Sequence, residues 1–402
     1  MKRKKIVIVF IFLAVLAGIF FWFNRTRSGT IKIVSSVPLQ GMNIGQGMYY
    51  GADMAFSEIG YKIGRFDIQF ILKDDSDAKG VWQANLEKQN AEEAVADPDV
   101  MVYFGPYDSG AAKISIPITN LAGLVQVGPS NTWPGLTQPG YAPGEPGIFY
   151  PSGKRTYFRT CLTDALKIPA GAIWAKKMGV KKVYIINNPD IYSSDVSMIF
   201  EKKAKELGLS VIARNLITED ILTINTVIND IKKNHADLIY YGGSTSESII
   251  LFIKELRAQG VTTQIMGSDG IFEKSFITAV GKDAEGILIT SNTLPVSSMT
   301  GDGKDFVDKY KAKYGVEPDI YGVYSYEAAK IVISAIRRAG IKDRKIILDE
   351  ISKTYIRGIF GMWHFDENGD TTVVPMLSGN IVKNGNFEFV ELISQKTPYE
   401  FY

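Results

Sequence analysis

Val100-Met-Val-Tyr-Phe-Gly-Pro-Tyr-Asp-Ser109 is the stretch that decides the fold, because a short apolar run ends there in a loop closed by a small hydroxyl residue. A helix-like stretch, Gly110 to Leu121, comes next. A second apolar run, Leu124-Val-Gln-Val127, then ends in the loop Gly128-Pro-Ser-Asn-Thr132. Strand, helix and strand in this order predict a βαβ unit of a parallel sheet.

The two loops also carry the first functional signal. Ligands of open α/β sheets bind beyond the carboxyl ends of the strands. Uncovered N–H groups at a helix N-terminus, together with hydroxyl donors, make a ready anion site. The alternative is a pair of ordinary turns in which Ser109 and Thr132 serve as caps. The pattern therefore predicts either a cradle for a small carboxylate or two capped turns.

The same alternation continues along the chain after residue 30. Apolar runs of strand length alternate with stretches whose apolar residues recur at helical spacing. Other predicted strands are Ile31–Val37, Phe66–Leu72, Lys182–Asn187, Val211–Leu216, Asp237–Tyr241, Thr263–Met266 and Gly286–Thr290. Other predicted helices are Gln46–Ile59, Val81–Val95, Ile168–Met178, Val196–Leu207, Ile224–Lys233 and Ser246–Ala258. The fold class is therefore α/β with parallel sheets, followed by antiparallel strands between residues 362 and 392.

Composition limits the classes of function. The chain has 402 residues, enough for two domains, and 46% of them are hydrophobic, as in a globular protein. A net charge of +2 gives no electrostatic case for nucleic acid. The single Cys161 excludes an internal disulfide and a thiolate metal cluster. Two histidines without a motif linking them to a serine make a hydrolase triad a poor interpretation, so we expect no enzyme, cofactor or metal.

The N-terminus predicts the location of the chain. Lys2-Arg3-Lys4-Lys5 precedes an unbroken apolar run, residues 6–23, which is long enough to span a bilayer. No small-residue cleavage site follows it. We interpret residues 1–29 as an uncleaved signal-anchor with a short linker; a cleaved signal peptide is the alternative. Either way the rest of the chain is extracytoplasmic, at the cell surface or in the periplasm.

A set of segments in fixed order carries a family resemblance. The segments are Ser36-Val-Pro-Leu-Gln-Gly41, Gly51-Ala-Asp-Met-Ala-Phe-Ser-Glu-Ile59, Leu72-Lys-Asp-Asp-Ser-Asp77, Gly105–Ser109, Gly128–Thr132, Tyr157-Phe-Arg-Thr160, Tyr240-Tyr-Gly-Gly243, Met266-Gly-Ser-Asp-Gly270, Ala284-Glu-Gly-Ile-Leu-Ile289 and Phe365–Asp370. Together they resemble the leucine/isoleucine/valine-binding proteins, which are type I periplasmic solute-binding proteins of ABC transporters. The resemblance spans residue 31 to about 390.

The resemblance implies an architecture and a mechanism. Two doubly wound, Rossmann-like lobes joined by three crossovers would hold a ligand in the cleft between them and hinge shut around it. Lobe one would comprise residues 30–158 and 292–360, and lobe two residues 159–291 and 361–402. The Pro-rich stretch from Thr132 to Arg155 lies just before the first of these boundaries.

The resemblance also implies a ligand site. Ser109, Ser130 and Thr132 would surround the carboxylate of a free amino acid. Asp269 would pair with its α-ammonium group, and Tyr192 would cover it. Two positions that are aromatic in some relatives are Gln46 and Ser244 here, and Trp133 is a candidate to compensate. The branched-chain preference is therefore less well supported than amino-acid binding itself.

The function expected from this resemblance is delivery of an amino acid, branched-chain type first, to the permease subunits of an ABC importer. The alternative is a membrane-anchored extracellular sensor for an amino acid or small amide. The glycines of Gly45-Gln-Gly-Met-Tyr-Tyr-Gly51 lack the spacing of a nucleotide site. Asp366-Glu-Asn-Gly-Asp370 suggests a cation loop only faintly, and a hairpin turn is the preferred interpretation.

Overall fold

A computed structural model describes residues 26–40, 45–292, 295–373 and 377–394. The predicted signal-anchor, residues 6–23, lies outside these ranges. Within them, no helix has both the length and the apolar character needed to cross a membrane.

The described chain alternates strands and helices in the predicted manner. The strands are β1 (Gly29–Val37), β2 (Lys62–Ile63), β3 (Phe66–Asp74), β4 (Val100–Phe104), β5 (Val125–Gly128), β6 (Tyr157–Arg159), β7 (Lys182–Asn187), β8 (Ser210–Leu216), β9 (Leu238–Gly242), β10 (Gln264–Gly267), β11 (Leu288–Ser291), β12 (Ile356–Gly358), β13 (Gly361–Trp363), β14 (Leu377–Lys383) and β15 (Asn386–Ser394). The helices are α1 (Gln46–Glu58), α2 (Ala84–Ala96), α3 (Ser109–Leu121), α4 (Asp164–Lys177), α5 (Ile191–Glu206), α6 (Ile221–Asn234), α7 (Glu247–Ala258), α8 (Lys274–Val280), α9 (Asp302–Tyr314), α10 (Ile320–Ala339) and α11 (Arg344–Ser352).

The first lobe is built on a sheet with the strand order β2-β3-β1-β4-β5-β6. Strands β3, β1, β4, β5 and β6 pair in parallel, and β2 is an antiparallel edge. The predicted β4-α3-β5 unit is confirmed, with Val102 of β4 opposite Val125 of β5. Helices α1, α9, α10 and α11 contribute to the apolar core against this sheet.

The second lobe is built on a sheet with the order β15-β14-β11-β10-β9-β7-β8. Its strands β8, β7, β9, β10 and β11 are parallel, whereas β14 and β15 form the predicted antiparallel edge. Side chains of a strand alternate between faces. Tyr184 and Ile186 of β7 accordingly belong to one core cluster, and Val183 and Ile185 to another. Both faces of this sheet are therefore buried.

A close helix contact organises the first lobe. Helices α1 and α10 cross so tightly that a Cβ on Gly51 would lie 1.9 Å from the carbonyl oxygen of Gly322. A Cβ on Gly47 would likewise lie 1.8 Å from Asp319 Oδ2. Asp319 in turn caps α10 by accepting a bond from the Gly322 backbone N–H at 2.6 Å. Glycine is therefore required where the two helices meet.

The chain passes between the lobes after β6, after β11 and between β13 and β14. Trp363 and Val373 also pack in the core of the first lobe, beyond residue 360, where the resemblance places the end of this lobe. The Asp366–Asp370 segment is a turn, because Asp366 Oδ1 accepts backbone bonds from Asn368 at 2.8 Å and Asp370 at 2.9 Å.

A buried ion pair joins two of these passages. Arg159 Nε, at the end of β6, donates to Asp370 Oδ1 at 2.6 Å. Arg159 Nη1 also donates to the carbonyl oxygens of Asn131 at 3.0 Å and Trp133 at 2.7 Å. The guanidinium therefore holds the loop after β5 at the two residues that flank Thr132.

Candidate ligand site

A narrow cleft lies between the lobes, at the carboxyl ends of β4 and β5. Residues of both lobes line it. They are Tyr107, Asp108, Ser109, Ser130, Thr132, Tyr192, Ser244, Gly270 and Tyr321. The structure thus brings together four of the predicted site residues: Ser109, Ser130, Thr132 and Tyr192. The fifth, Asp269, is next to the cleft but is not among the residues that line it.

The loop after β4 and the loop after β5 are tied to each other through Ser109. The Ser109 hydroxyl oxygen accepts the backbone N–H groups of Thr132 at 3.1 Å and Trp133 at 3.2 Å. Because the oxygen is an acceptor in both bonds, its own hydrogen remains available to donate. Asp108 caps α3 and accepts from the Gly110 backbone N–H at 3.5 Å. Ser109 is therefore both a structural tie and a candidate donor to an anion.

Ser130 is committed to the loops. Its hydroxyl donates to the carbonyl oxygen of Tyr107 at 2.8 Å. The neighbouring Asn131 side chain donates to the carbonyl oxygens of Pro106 at 2.8 Å and Asp108 at 3.1 Å. Sequence reasoning missed Asn131, although an amide with several donors is well suited to hold a turn. The Ser130 hydroxyl hydrogen is therefore already used within the protein, although the residue lines the cleft.

Tyr192 supplies the second-lobe side of the cleft. It stands in the first turn of α5, which Asp190 caps by accepting from the Ser193 N–H at 2.8 Å. Its side chain is 9% exposed, and its hydroxyl group has no hydrogen-bond partner among the described residues. Burial, and then the charge of Asp269, raise the pKa of Tyr192 well above its usual range. Tyr192 is therefore a neutral donor, buried and unpaired, at the cleft.

Asp269 follows β10 and is 1% exposed. Its Oδ2 atom accepts from the Tyr321 hydroxyl at 2.5 Å and contacts the Lys167 ammonium group. Its Oδ1 atom has no partner among the described residues. The adjacent Gly270 reaches the cleft, where a Cβ would lie 2.4 Å from the Gly243 carbonyl oxygen. The structure thus places Asp269 at the predicted strand end, with an internal cation against it.

Lys167 is another residue that sequence reasoning missed. It is 3% exposed, and its Nζ atom lies 3.1 Å from Asp164 Oδ1 as well as against Asp269. Burial opposes the charged form of Lys167, but the carboxylates of Asp164 and Asp269 outweigh it and raise the pKa. Burial also raises the pKa of Asp164, which Lys167 partly offsets. The only signal in the sequence was the three-residue spacing of Asp164 and Lys167 at a helix start.

Two tyrosines of the first lobe bond to carboxylates of the second across the cleft. Tyr321 donates to Asp269, and the Tyr107 hydroxyl donates to Glu273 Oε1 at 2.9 Å. Burial, followed by the charge of Asp319, raises the pKa of Glu273 to about 7. These bonds hold the lobes against each other beside the ligand site.

The prediction that Trp133 compensates for the aromatic residues absent at Gln46 and Ser244 is wrong. Trp133 is 2% exposed and packs with Ile116, Leu136 and Phe149 beneath the Pro-rich segment, with its Nε1 atom bonded to Glu145 Oε2 at 2.8 Å. It is not among the residues that line the cleft. The aromatic lining comes instead from Tyr107, Tyr192 and Tyr321.

Comparison with known proteins agrees with this architecture. The family model described as "Periplasmic binding protein" matches residues 30–386. The chain belongs to the leucine/isoleucine/valine-binding protein family of type I periplasmic binding proteins. Members of this family are solute-binding proteins and lie outside the cytoplasm.

Several relatives are similar over most of their length. The leucine-, isoleucine-, valine-, threonine-, and alanine-binding protein of Pseudomonas aeruginosa is 25% identical over 85% of this chain and 87% of its own. An amino acid binding protein of the same organism is 26% identical over 63% of this chain and 64% of its own. The crystal structure of a leucine-binding protein from Thermotoga maritima is 27% identical, with a TM-score of 0.78 over 92% of this chain and 99% of that one.

A more distant structure shares the fold alone. A solute-binding protein of R. palustris in complex with benzoate is 18% identical, with a TM-score of 0.78 over 91% of this chain and 97% of its own.

Proposed function

We propose that this chain is the extracytoplasmic substrate-binding protein of an ABC importer and captures a small organic carboxylate between its lobes. The observation that carries the proposal is the convergence of Ser109, Thr132 and Tyr192 on one inter-lobe cleft. The available Ser109 hydrogen and the unpaired Tyr192 hydroxyl, from opposite lobes, suit the oxygens of a carboxylate, and bonds to a charged acceptor are the strong ones.

Hinge closure is the proposed mechanism. A ligand held by Ser109 on one lobe and Tyr192 on the other interacts fully only when the lobes meet. It therefore favours the closed state by its differential affinity. Permease subunits of the importer would receive the closed form.

Amino acids are the first ligands to test. The family resemblance implies a free amino acid of branched-chain type, and the names of the Pseudomonas and Thermotoga relatives support that choice. The identities of 25% and 27% leave the ligand of this chain as a proposal.

The test is a thermal-shift screen of the full chain in detergent against neutral amino acids and small carboxylic acids. A ligand that binds only the folded state raises the melting temperature. Ser109→Ala should weaken the best hit by about tenfold or more, because a charge-assisted bond is worth about 1.5–3 kcal/mol. Ser210→Ala, at an exposed strand start, is the matched control. The proposal would be refuted if no ligand raised the melting temperature, or if Ser109→Ala and Ser210→Ala bound the best hit with equal affinity.

A further inference from the structure

We propose that the ligand of this cleft is a small monocarboxylate without an α-ammonium group, since Lys167 already occupies the place of the ligand's cation. This inference rests on the proposed function and names the ligand class of the same site.

The acidic residue that would receive an ammonium group is already engaged. Asp269 Oδ2 is in contact with Lys167 and accepts from the Tyr321 hydroxyl. The other oxygen of this carboxylate, Oδ1, has no hydrogen-bond partner among the described residues, but it is buried. Gly270 and Tyr321 line the cleft, whereas Asp269 is not among the lining residues.

Lys167 also changes the charge that a second cation would meet. Its ammonium group touches both Asp164 and Asp269, so each carboxylate is paired with a positive charge already inside the protein. A ligand ammonium at Asp269 would lie beside the charged Lys167, and like charges at such distances repel strongly in a buried site. The pKa of Lys167 is raised, which favours the charged form of this lysine.

Asp108 is the one carboxylate among the residues that line the cleft. It caps α3 by accepting from Gly110. Burial, and then the charge of Asp190 across the cleft, raise its pKa to about 7. Asp108 is therefore the alternative partner for a ligand ammonium group, and the experiment includes a variant of it.

The experiment compares acids that differ only in the α-ammonium group. Isothermal titration of the full chain in detergent uses L-leucine against 4-methylpentanoate and L-phenylalanine against 3-phenylpropanoate. We expect the acid without the ammonium group to bind about tenfold or more tightly than its partner in at least one pair. If the amino acid binds more tightly than the acid without the ammonium group, the inference is overturned. The proposed function would still stand, because a ligand binds.

Two variants test the role of Lys167. Lys167→Met removes the internal cation at similar volume, so the preference should shift toward the amino acid by about tenfold or more. Lys176→Met, an exposed lysine of the same helix, should leave the preference unchanged. An unchanged preference in Lys167→Met would contradict the mechanism.

If Lys167→Met fails to fold, the preference of the wild-type chain still decides the question. Asp108→Asn then tests the alternative, because loss of amino-acid binding in that variant would assign the ammonium site to Asp108 and overturn the inference. Failure of both pairs and of the thermal-shift screen would refute the proposed function instead.

Discussion

Replacing Asp370 with alanine should strongly destabilise the protein. Asp370 is the carboxylate partner of Arg159, whose side chain is 0% exposed. It also accepts from the Thr137 hydroxyl at 3.0 Å. Truncation therefore leaves a buried guanidinium without a counter-ion and removes one of the two acceptors of the Thr137 hydroxyl.

The expected loss follows from the desolvation of that charge. Breaking a buried ion pair by removing one partner typically costs about 3–5 kcal/mol. The bonds from Arg159 to the carbonyl oxygens of Asn131 and Trp133 remain, but a neutral carbonyl does not balance a full charge. We therefore expect the free energy of unfolding to fall by about 3–5 kcal/mol. Asp67→Ala, in an ion pair whose side chains are 61% and 69% exposed, should cost less than about 1 kcal/mol.

Urea unfolding monitored by circular dichroism measures both variants. The double variant Arg159→Met/Asp370→Leu should recover part of the loss, because it removes the unpaired charge. It should not recover all of it, because the two loop carbonyl oxygens then lose their donor. A loss below about 1 kcal/mol for Asp370→Ala, equal to that of Asp67→Ala, would show that this ion pair does not support the fold.

Two further predictions concern pH and packing. The pKa of Glu273 is raised from 4.5 to about 7, so the folded state holds its proton more tightly than the unfolded state. The contribution of this residue to stability should therefore be largest below about pH 4.5 and should fall by up to about 3 kcal/mol as pH rises through about 7. Glu273→Gln should therefore gain stability relative to the wild type between about pH 5 and pH 8 in urea unfolding; a constant difference, like that expected for the exposed Glu206→Gln, would contradict this. Gly51→Ala should lower the free energy of unfolding by about 1–3 kcal/mol because its Cβ collides with the Gly322 carbonyl oxygen, whereas Gly147→Ala has open space and should be nearly neutral. Equal melting temperatures for these two glycine variants would argue against the tight helix crossing.

The sequence predicted most of the strands because each is a short apolar run bounded by turn residues. β4 and β7 match their predicted bounds. Helix α10 was not predicted, since its first ten residues are all buried and it therefore lacks the alternation of apolar and polar faces that marks a surface helix. Its importance is visible only in three dimensions, where it packs against α1 and contributes Tyr321 to the cleft.

The candidate site was predictable on its first-lobe side and less so on the other. Ser109 and Thr132 follow adjacent parallel strands, so their proximity comes from topology. Lys167 and Asp269 are 102 positions apart in the sequence, and no local pattern indicates that they touch. Trp133 likewise packs against Ile116 and Phe149 and bonds to Glu145, and no local pattern indicates these contacts.

The bond network of Ser109 has a consequence for the order of events in binding. Its two accepted bonds and those of Asn131 lie wholly within the first lobe, so these loops keep their shape when the lobes separate. A ligand would dock on this lobe first, and Tyr192 would engage it only on closure. Changes at Ser109 should then alter both the association and the dissociation rate. Changes at Tyr192 should act on residence time alone.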